Sequence, residues 1–146
     1  MPGCDDPFDL GRFITAQDDG VIDRAMAELR AGRKTSHWMW FVFPQIAGLG
    51  QSPTSRRYAI SSLAEAGAYF RHPVLGARLA RCAGVVAATS GRSAAQIFGE
   101  IDAQKLRSSM TLFARAAPHE PAFQQVLDAF FDGIPDPATD AILGRT

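Results

Sequence analysis

SHWMWFVFPQ, residues 36–45, is the stretch on which the fold turns. From Trp38 to Phe43 every residue is apolar, so the segment has no face to present to water and belongs at the centre of whatever packs around it. Ser36 can cap a short helix here. Pro44 would end it, because a residue before proline avoids the α region. The aromatic and β-branched content also permits a short strand. We favour a short buried helix with other helices wrapped about it.

The rest of the chain supports that reading, because its punctuation is helical. Asp6-Pro7, His72-Pro73, Glu120-Pro121 and Asp136-Pro137 each open an apolar periodic segment. Proline is favoured at the first helical position, and the side chain before it can accept from the free amides. Ser62-x-x-Glu65 and Ser93-x-x-Gln96 have capping-box spacing, and Asp102 is placed to cap a helix beginning at Ala103. Gly20, Gly32, Gly91, Gly99, Gly133 and Gly144 follow apolar runs and read as stops. The expected helices are 7–18, 21–31, 62–71, 73–89, 94–98, 103–116, 121–132 and 137–143. Buried stripes recur at i, i+3, i+4: Ile22, Ala25, Met26 and Leu29; Leu106, Met110 and Phe113; Phe123, Val126, Leu127, Phe130 and Phe131. Alternation over strand length is almost absent. The fold class is therefore all-α, a compact single-domain multi-helical bundle around a short buried aromatic segment. It spans residues 1–146, with 1–5 as a flexible lead-in.

Composition narrows the function classes. The chain has 146 residues, 47% of them hydrophobic, enough to build a core without metals or disulfides. Fifteen basic and fifteen acidic side chains cancel. The chain lacks the broad positive field that draws nucleic acid or anionic lipid, so neither is expected as a partner. Short basic clusters, Arg30, Arg33 and Lys34 and then Arg56 and Arg57, read either as solvated surface or as anion sites. Cys4 and Cys82 do not suit a mutual disulfide, and with three histidines out of ligand spacing no metal site is expected. No secretory leader opens the chain, and WMWFVF is too short to span a bilayer, so a cytoplasmic protein is expected. No cofactor is implied, and the sequence sets no oligomeric state.

The longest irregular stretch, residues 46–58, directly follows the aromatic block and holds AGLGQSPTSRRY. Irregular loops of this length in compact domains are often functional, which places the candidate site there. Trp38 and Trp40 offer stacking faces for a ring, or else are core residues with indole N–H groups bonded to backbone carbonyls. His37 is a general acid–base candidate, or a brace. Gln45 must satisfy its amide on a ligand or by bracing the loop. Gly48, Gly50, Ser52 and Ser55, with Tyr58 closing the loop, can offer amides and hydroxyls to an anion, or simply form turns. The lysine and glycine spacing of a P-loop is absent. Lys105, Ser108 and Ser109 lie on the next candidate surface. Lys105 would oppose the dipole of a helix starting at 103, so either it pairs with Glu100 or Asp102 or it meets an anionic ligand across the cleft. No nucleophile elbow or Cys–His arrangement exists, and Glu65, Glu100 and Asp102 form a carboxylate pair only if the fold assembles one.

Three blocks carry a resemblance over nearly the whole chain: DPFDLGRF; GRKTSHWMWFVFPQIAGLGQSPTSRRYAISSLAEAGAYFRHPVLGARL; and IFGEIDAQKLRSSMTLFARA. They resemble the domain-of-unknown-function family 1810, whose members are small, mostly bacterial proteins. The resemblance implies a mainly helical fold and no activity. Some members carry the label calpastatin, and nothing in this sequence supports protease inhibition. A fainter likeness, in YAISSLAEAGAYF and KLRSSMTLFARAAPHEPAFQQVL, is to N-glycosidases acting on ADP-ribosylated and riboflavin-pathway compounds. Those enzymes place a glutamate and a lysine on the first of these helices, where this chain has Tyr58 and Ser62, with Glu65 later and no lysine.

The sequence thus leads to a small anionic or nucleotide-like ligand bound in a pocket beside the HWMWF-FPQ-GLG segment, residues 37–50, either by a binding domain or by an enzyme, for which N-glycosidic chemistry is the reaction the fainter likeness implies. The competing expectation is a non-enzymatic regulatory or interaction module with a purely structural aromatic core.

Overall fold

In a computed structural model of the chain, residues 6–144 are described, and among them there are ten helices and no strand. They are α1 (Gly11–Gln17), α2 (Val21–Ala31), α3 (Met39–Val42), α4 (Pro53–Arg57), α5 (Leu63–Arg71), α6 (Leu75–Ala88), α7 (Ala94–Phe98), α8 (Glu100–Ala116), α9 (Pro121–Phe130) and α10 (Pro137–Ile142). The longest helix, α8, runs through the middle and packs against α3, α5, α7, α9 and α10; α6 packs on α2, α5 and α9. No described helix is long and apolar enough to cross a membrane. Cys4 lies outside the described residues, and Cys82 is a buried free thiol.

The predicted stripes form the core. Ala25, Met26 and Leu29 are buried on α2, Leu106, Met110 and Phe113 on α8, and Phe123, Val126 and Leu127 on α9. Ile22, Phe130 and Phe131, also expected in the stripes, pack only half-buried at the core's edge. The caps follow the sequence closely at three starts. Ser93 and Gln96 form a reciprocal box, Glu120 accepts from the Ala122 amide and Asp136 from the Thr139 amide. His72 caps through its Nδ1, which accepts from Val74 and Leu75, so α6 begins at Leu75 rather than at Pro73.

Three starts differ from expectation. Asp6 spends its carboxylate on the amides of Leu10 and Gly11, and Asp9 is left-handed, so Pro7 sits in a turn and α1 starts only at Gly11. Ser62 caps α5, but Glu65 turns away from the box to accept from the amide and hydroxyl of Ser61. Asp102 caps nothing, because α8 already starts at Glu100; Asp102 instead pairs with Lys34 at 2.7 Å and Lys105 at 3.4 Å.

The aromatic block is a four-residue helix in the core, as its composition requires. Trp38, Met39, Val42 and Phe43 are essentially inaccessible, whereas Trp40 and Phe41 reach the edge. Ser36 does not cap it. Ser36 and the Trp38 indole N–H both donate to Glu28, which also accepts from the amides of Thr35 and Ser36. Trp38 is thus a core residue bonded to a carboxylate rather than to a backbone carbonyl.

Burial would raise the Glu28 pKa, but these hydrogen bonds, that of the Ser36 hydroxyl foremost, outweigh it and hold the pKa down to about 2, against an ordinary 4.5. A carboxyl depressed on folding contributes stability that is whole above about pH 4.5 and is lost as pH falls towards 2. Glu28→Ala is expected to cost about 2–3 kcal/mol at pH 7, since hydrogen bonds to charged groups are the stronger kind. In urea titrations at stepped pH, the gap between wild type and variant should narrow below pH 4.5. A gap of constant size down to pH 2 would contradict the assignment.

Candidate functional site

After Pro44 the chain leaves the core and folds back on itself. The carbonyl of Gln45 accepts from the Ile60 amide at 2.8 Å, and the Ile60 carbonyl accepts from the Ala47 amide at 2.8 Å. These two bonds pin both ends of the excursion between residues 46 and 60. Inside it, Ser52 caps α4 by accepting from the Ser55 amide, so the stretch expected to be irregular contains a helical turn. Gly50 runs against that turn. A Cβ placed on it would lie 2.5 Å from both Cβ and Oγ of Ser55. Glycine is required here by close approach.

This fold-back leaves hollows on both of its sides. One, of about 170 Å³, is bounded by Trp40, Gln45, Gly48, Gly50, Ser55, Arg56 and Tyr58. The next, of about 480 Å³, shares Gln45, Gly50 and Ser55 with it and is closed by Leu49, Gln104, Lys105, Ser108, Asp136 and Ala138. A third, of about 500 Å³, lies beyond Trp40 and is bounded by Lys34, His37, Phe98, Glu100, Ile101 and Asp102. The hollows adjoin pairwise: the first and third meet at Trp40, the first and second at Gln45, Gly50 and Ser55, and the second and third at Glu100 and Ile101, so they form a chain of hollows, here the cleft, with Trp40 between its two ends. The two larger hollows are each of a size that suits a small molecule.

The polar groups in the cleft differ in how far the protein already satisfies them. Gln45 is half-buried, yet its side-chain amide makes no hydrogen bond to any described residue; only its backbone braces the loop. Lys105 lies with Nζ 4.6 Å from the centre of the Trp40 ring, and its ion pair with Asp102 is shared with Lys34. Because α8 starts at Glu100, Lys105 stands in its second turn, and the dipole conflict expected from the sequence does not arise. Tyr58 packs its ring on Phe41 and Phe13 and lines the smallest hollow. The Trp40 indole nitrogen is buried without a partner. Asp136, by contrast, is saturated by Gln104, Ser108 and both the amide and hydroxyl of Thr139, so it is a structural wall.

Of the residues singled out from the sequence, the fold brings together Trp40, Gln45, Gly48, Gly50, Ser55, Tyr58, Lys105 and Ser108. Four fall elsewhere. Trp38 is core, because its indole is held by Glu28. Ser52 is an exposed helix cap outside the hollows. Ser109 is fully buried, and its hydroxyl has no partner, not even the preceding turn's carbonyl. Glu65 is buried and bonded to Arg12 and Ser61, away from the cleft walls. His37 and Asp102 both border the third hollow. His37 is exposed and makes no hydrogen bond with a described residue, and Asp102 is committed to its two lysines. No cluster of His, Cys, Asp or Glu among the described residues could hold a metal ion. Arg56, read from the sequence as either solvated surface or an anion site, lines the smallest hollow. Sequence reading missed Gln104 and the 136–138 wall; α10 reaches the cleft only through tertiary packing on α8, which leaves no local signal.

The close approach at Gly50 gives a test of the cleft's shape. Gly50→Ala is expected to cost about 1–3 kcal/mol by overpacking and to push the 46–52 loop off α4. Adding Ser55→Gly removes the atoms the new methyl meets. The double variant should recover most of the loss in thermal denaturation, and equal instability of single and double variants would contradict the geometry.

A model of the family described as "Protein of unknown function (DUF1810)" matches residues 7–143. Among solved structures, the crystal structure of the conserved hypothetical protein Rv1873 from Mycobacterium tuberculosis is similar throughout. It is 53% identical, with a TM-score of 0.93, and the match covers 97% of this chain and 100% of that one. No curated protein matches.

Proposed function

We propose that this chain, which belongs to the DUF1810 family of proteins of unknown function, binds a small anionic, nucleotide-like ligand in the cleft around Trp40. One observation carries the reading: Gln45, half-buried with its side-chain amide unspent within the protein, lines the same hollow as Lys105, which lies over an indole ring. A flat ring can stack at the exposed edge of Trp40, Gln45 can read its polar edge, and Lys105 and Arg56 can meet its anionic group. N-glycosidic chemistry draws no support from Glu65, whose carboxylate is tied to Arg12 and Ser61. The reading is of a binding protein in the cytoplasm.

A thermal-shift screen of nucleotides, NAD derivatives and flavins tests it. At a hundredfold excess over the dissociation constant, one bound site adds about 2.7 kcal/mol. Saturable stabilisation that is lost in Lys105→Met supports the reading; no saturable shift with any of these compounds overturns it.

The alternative, a regulatory or interaction module, is favoured by a different observation. Ile101 is 75% exposed at the rim of the cleft, an unusual place for a large apolar side chain on the first turn of a long helix. Light scattering that shows self-association abolished by Ile101→Lys would favour it.

A further inference from the structure

The face of the molecule built by α2 and α6 carries a second concavity, of about 380 Å³, lined by Ile22, Asp23, Met26, Arg30, Arg78 and Arg81. Its three arginines come from two helices that pack together. Arg78 is locked in place: its Nη1 donates to the Oε1 of Gln17 at 3.1 Å, and Gln17 is itself buried and tied to the Phe41 carbonyl and the Tyr69 hydroxyl. Its nearest carboxylate, Asp18, is 4.0 Å away. Arg30 and Arg81 make no hydrogen bond or ion pair with any described residue. Asp23 is the one carboxylate that shares the hollow with three guanidiniums. Burial pushes the Cys82 thiol up to about 12, and the charges of Arg81, Arg78 and Arg30 only partly oppose it. An adjoining hollow of about 420 Å³ shares Arg30 and ends at Arg92, whose stem lies over Gly32.

Three like charges gathered in one concavity repel each other, and Asp23 in the hollow with Asp18 4.0 Å from Arg78 still leaves the group net positive. Each guanidinium presents five N–H donors in a rigid fork that matches the oxygens of a phosphate. We propose that the α2–α6 groove is an oligophosphate site, in which Arg78 is the fixed anchor, Arg30 and Arg81 close on the anion, and Arg92 meets the far end of an extended chain. This site shares no wall residue with the cleft around Trp40 and stands whether or not that cleft binds a ligand.

Inorganic tripolyphosphate is the probe, titrated at constant ionic strength into the ¹⁵N-labelled full chain. The amides of α2 and α6 should shift saturably. The Arg30→Gln/Arg81→Gln variant should bind at least tenfold more weakly, and Trp40→Phe as tightly as wild type. Both arginines are exposed, so a native far-UV spectrum of the double variant confirms that folding is intact. ATP should move the same amides and adenosine should not, if the phosphate chain is what is recognised. The proposal is overturned if these amides stay still, if the double variant titrates like wild type, if sulfate at matched ionic strength reproduces the response, or if citrate binds more tightly than tripolyphosphate.

Discussion

Gly76→Ala is expected to remove a large share of the chain's stability. Gly76 is buried in the first turn of α6, where that helix emerges from the tight connection with α5. A Cβ there would stand 1.8 Å from the Phe70 carbonyl oxygen and 2.7 Å from its carbon. Both atoms are backbone, in a stretch held by the bond from the Gly76 amide to the His72 carbonyl and by the His72 cap. No rotamer change relieves the contact, so α5 and α6 must separate. Overpacking usually costs about 1–3 kcal/mol when side chains can yield; with backbone on both sides the loss should exceed about 4 kcal/mol, a large share of the stability of an ordinary domain. Gly84 on the same helix is the control. Nothing lies within 4 Å of the position its Cβ would take. Gly84→Ala should therefore stabilise by about 0.5–1 kcal/mol, as expected for removing an unneeded glycine from a helix interior. Urea denaturation of both variants decides the matter, and similar small effects at the two positions would contradict the α5–α6 geometry.

Arg12→Ala should be nearly as damaging, for an electrostatic reason. The Arg12 guanidinium donates to the carbonyls of Phe8, Asp9, Arg57 and Ala59 and to the Glu65 carboxylate at 2.9 Å. It ties the start of α1 to the end of α4 and to α5, and so supports the chain behind Tyr58, a wall of the cleft. Glu65 is only 2% exposed. Removing the arginine leaves its Oε2 without a donor and frees carbonyls that had been paired. Breaking a buried ion pair by deleting one partner costs about 3–5 kcal/mol, roughly 10 °C in melting temperature for a chain of this size. Arg12→Lys should recover only part of this, because an ammonium lacks the fork that reaches partners on three elements. A loss below about 1 kcal/mol for Arg12→Ala would show that these bonds are replaced by water.

These two residues also show where the sequence is informative and where it falls short. The helices were legible because their signals are local: periodic stripes at 106, 110 and 113, and serine, glutamate or aspartate caps at 93, 120 and 136. The apolar run 38–43 had to be central because it has no polar side, and that logic held for Trp38, Met39, Val42 and Phe43. It could not tell which tryptophan would reach the edge, since that depends on Glu28, ten residues away, holding the Trp38 indole. The cleft was legible in part, because a long glycine-bearing loop next to an aromatic segment must fold over something. Its far wall at Asp136 and the five-bond role of Arg12 were not, because both are set by partners up to 53 residues distant, and no periodicity records them. Arg12 looks like any exposed helical arginine in the sequence; only the fold surrounds it with carbonyls.

The central claim is that a guest enters beside Trp40 and not beside Trp38. The chain contains two tryptophans, so an amide-correlation spectrum shows two indole N–H signals. Trp38 is sealed in the core on Glu28, and Trp40 borders the cleft under Lys105. On titration with the nucleotide, NAD derivative or flavin that stabilises the protein most, the Trp40 indole signal should move saturably while that of Trp38 stays in place. A stabilising ligand that leaves the Trp40 signal untouched, or that shifts only Trp38, would contradict the account.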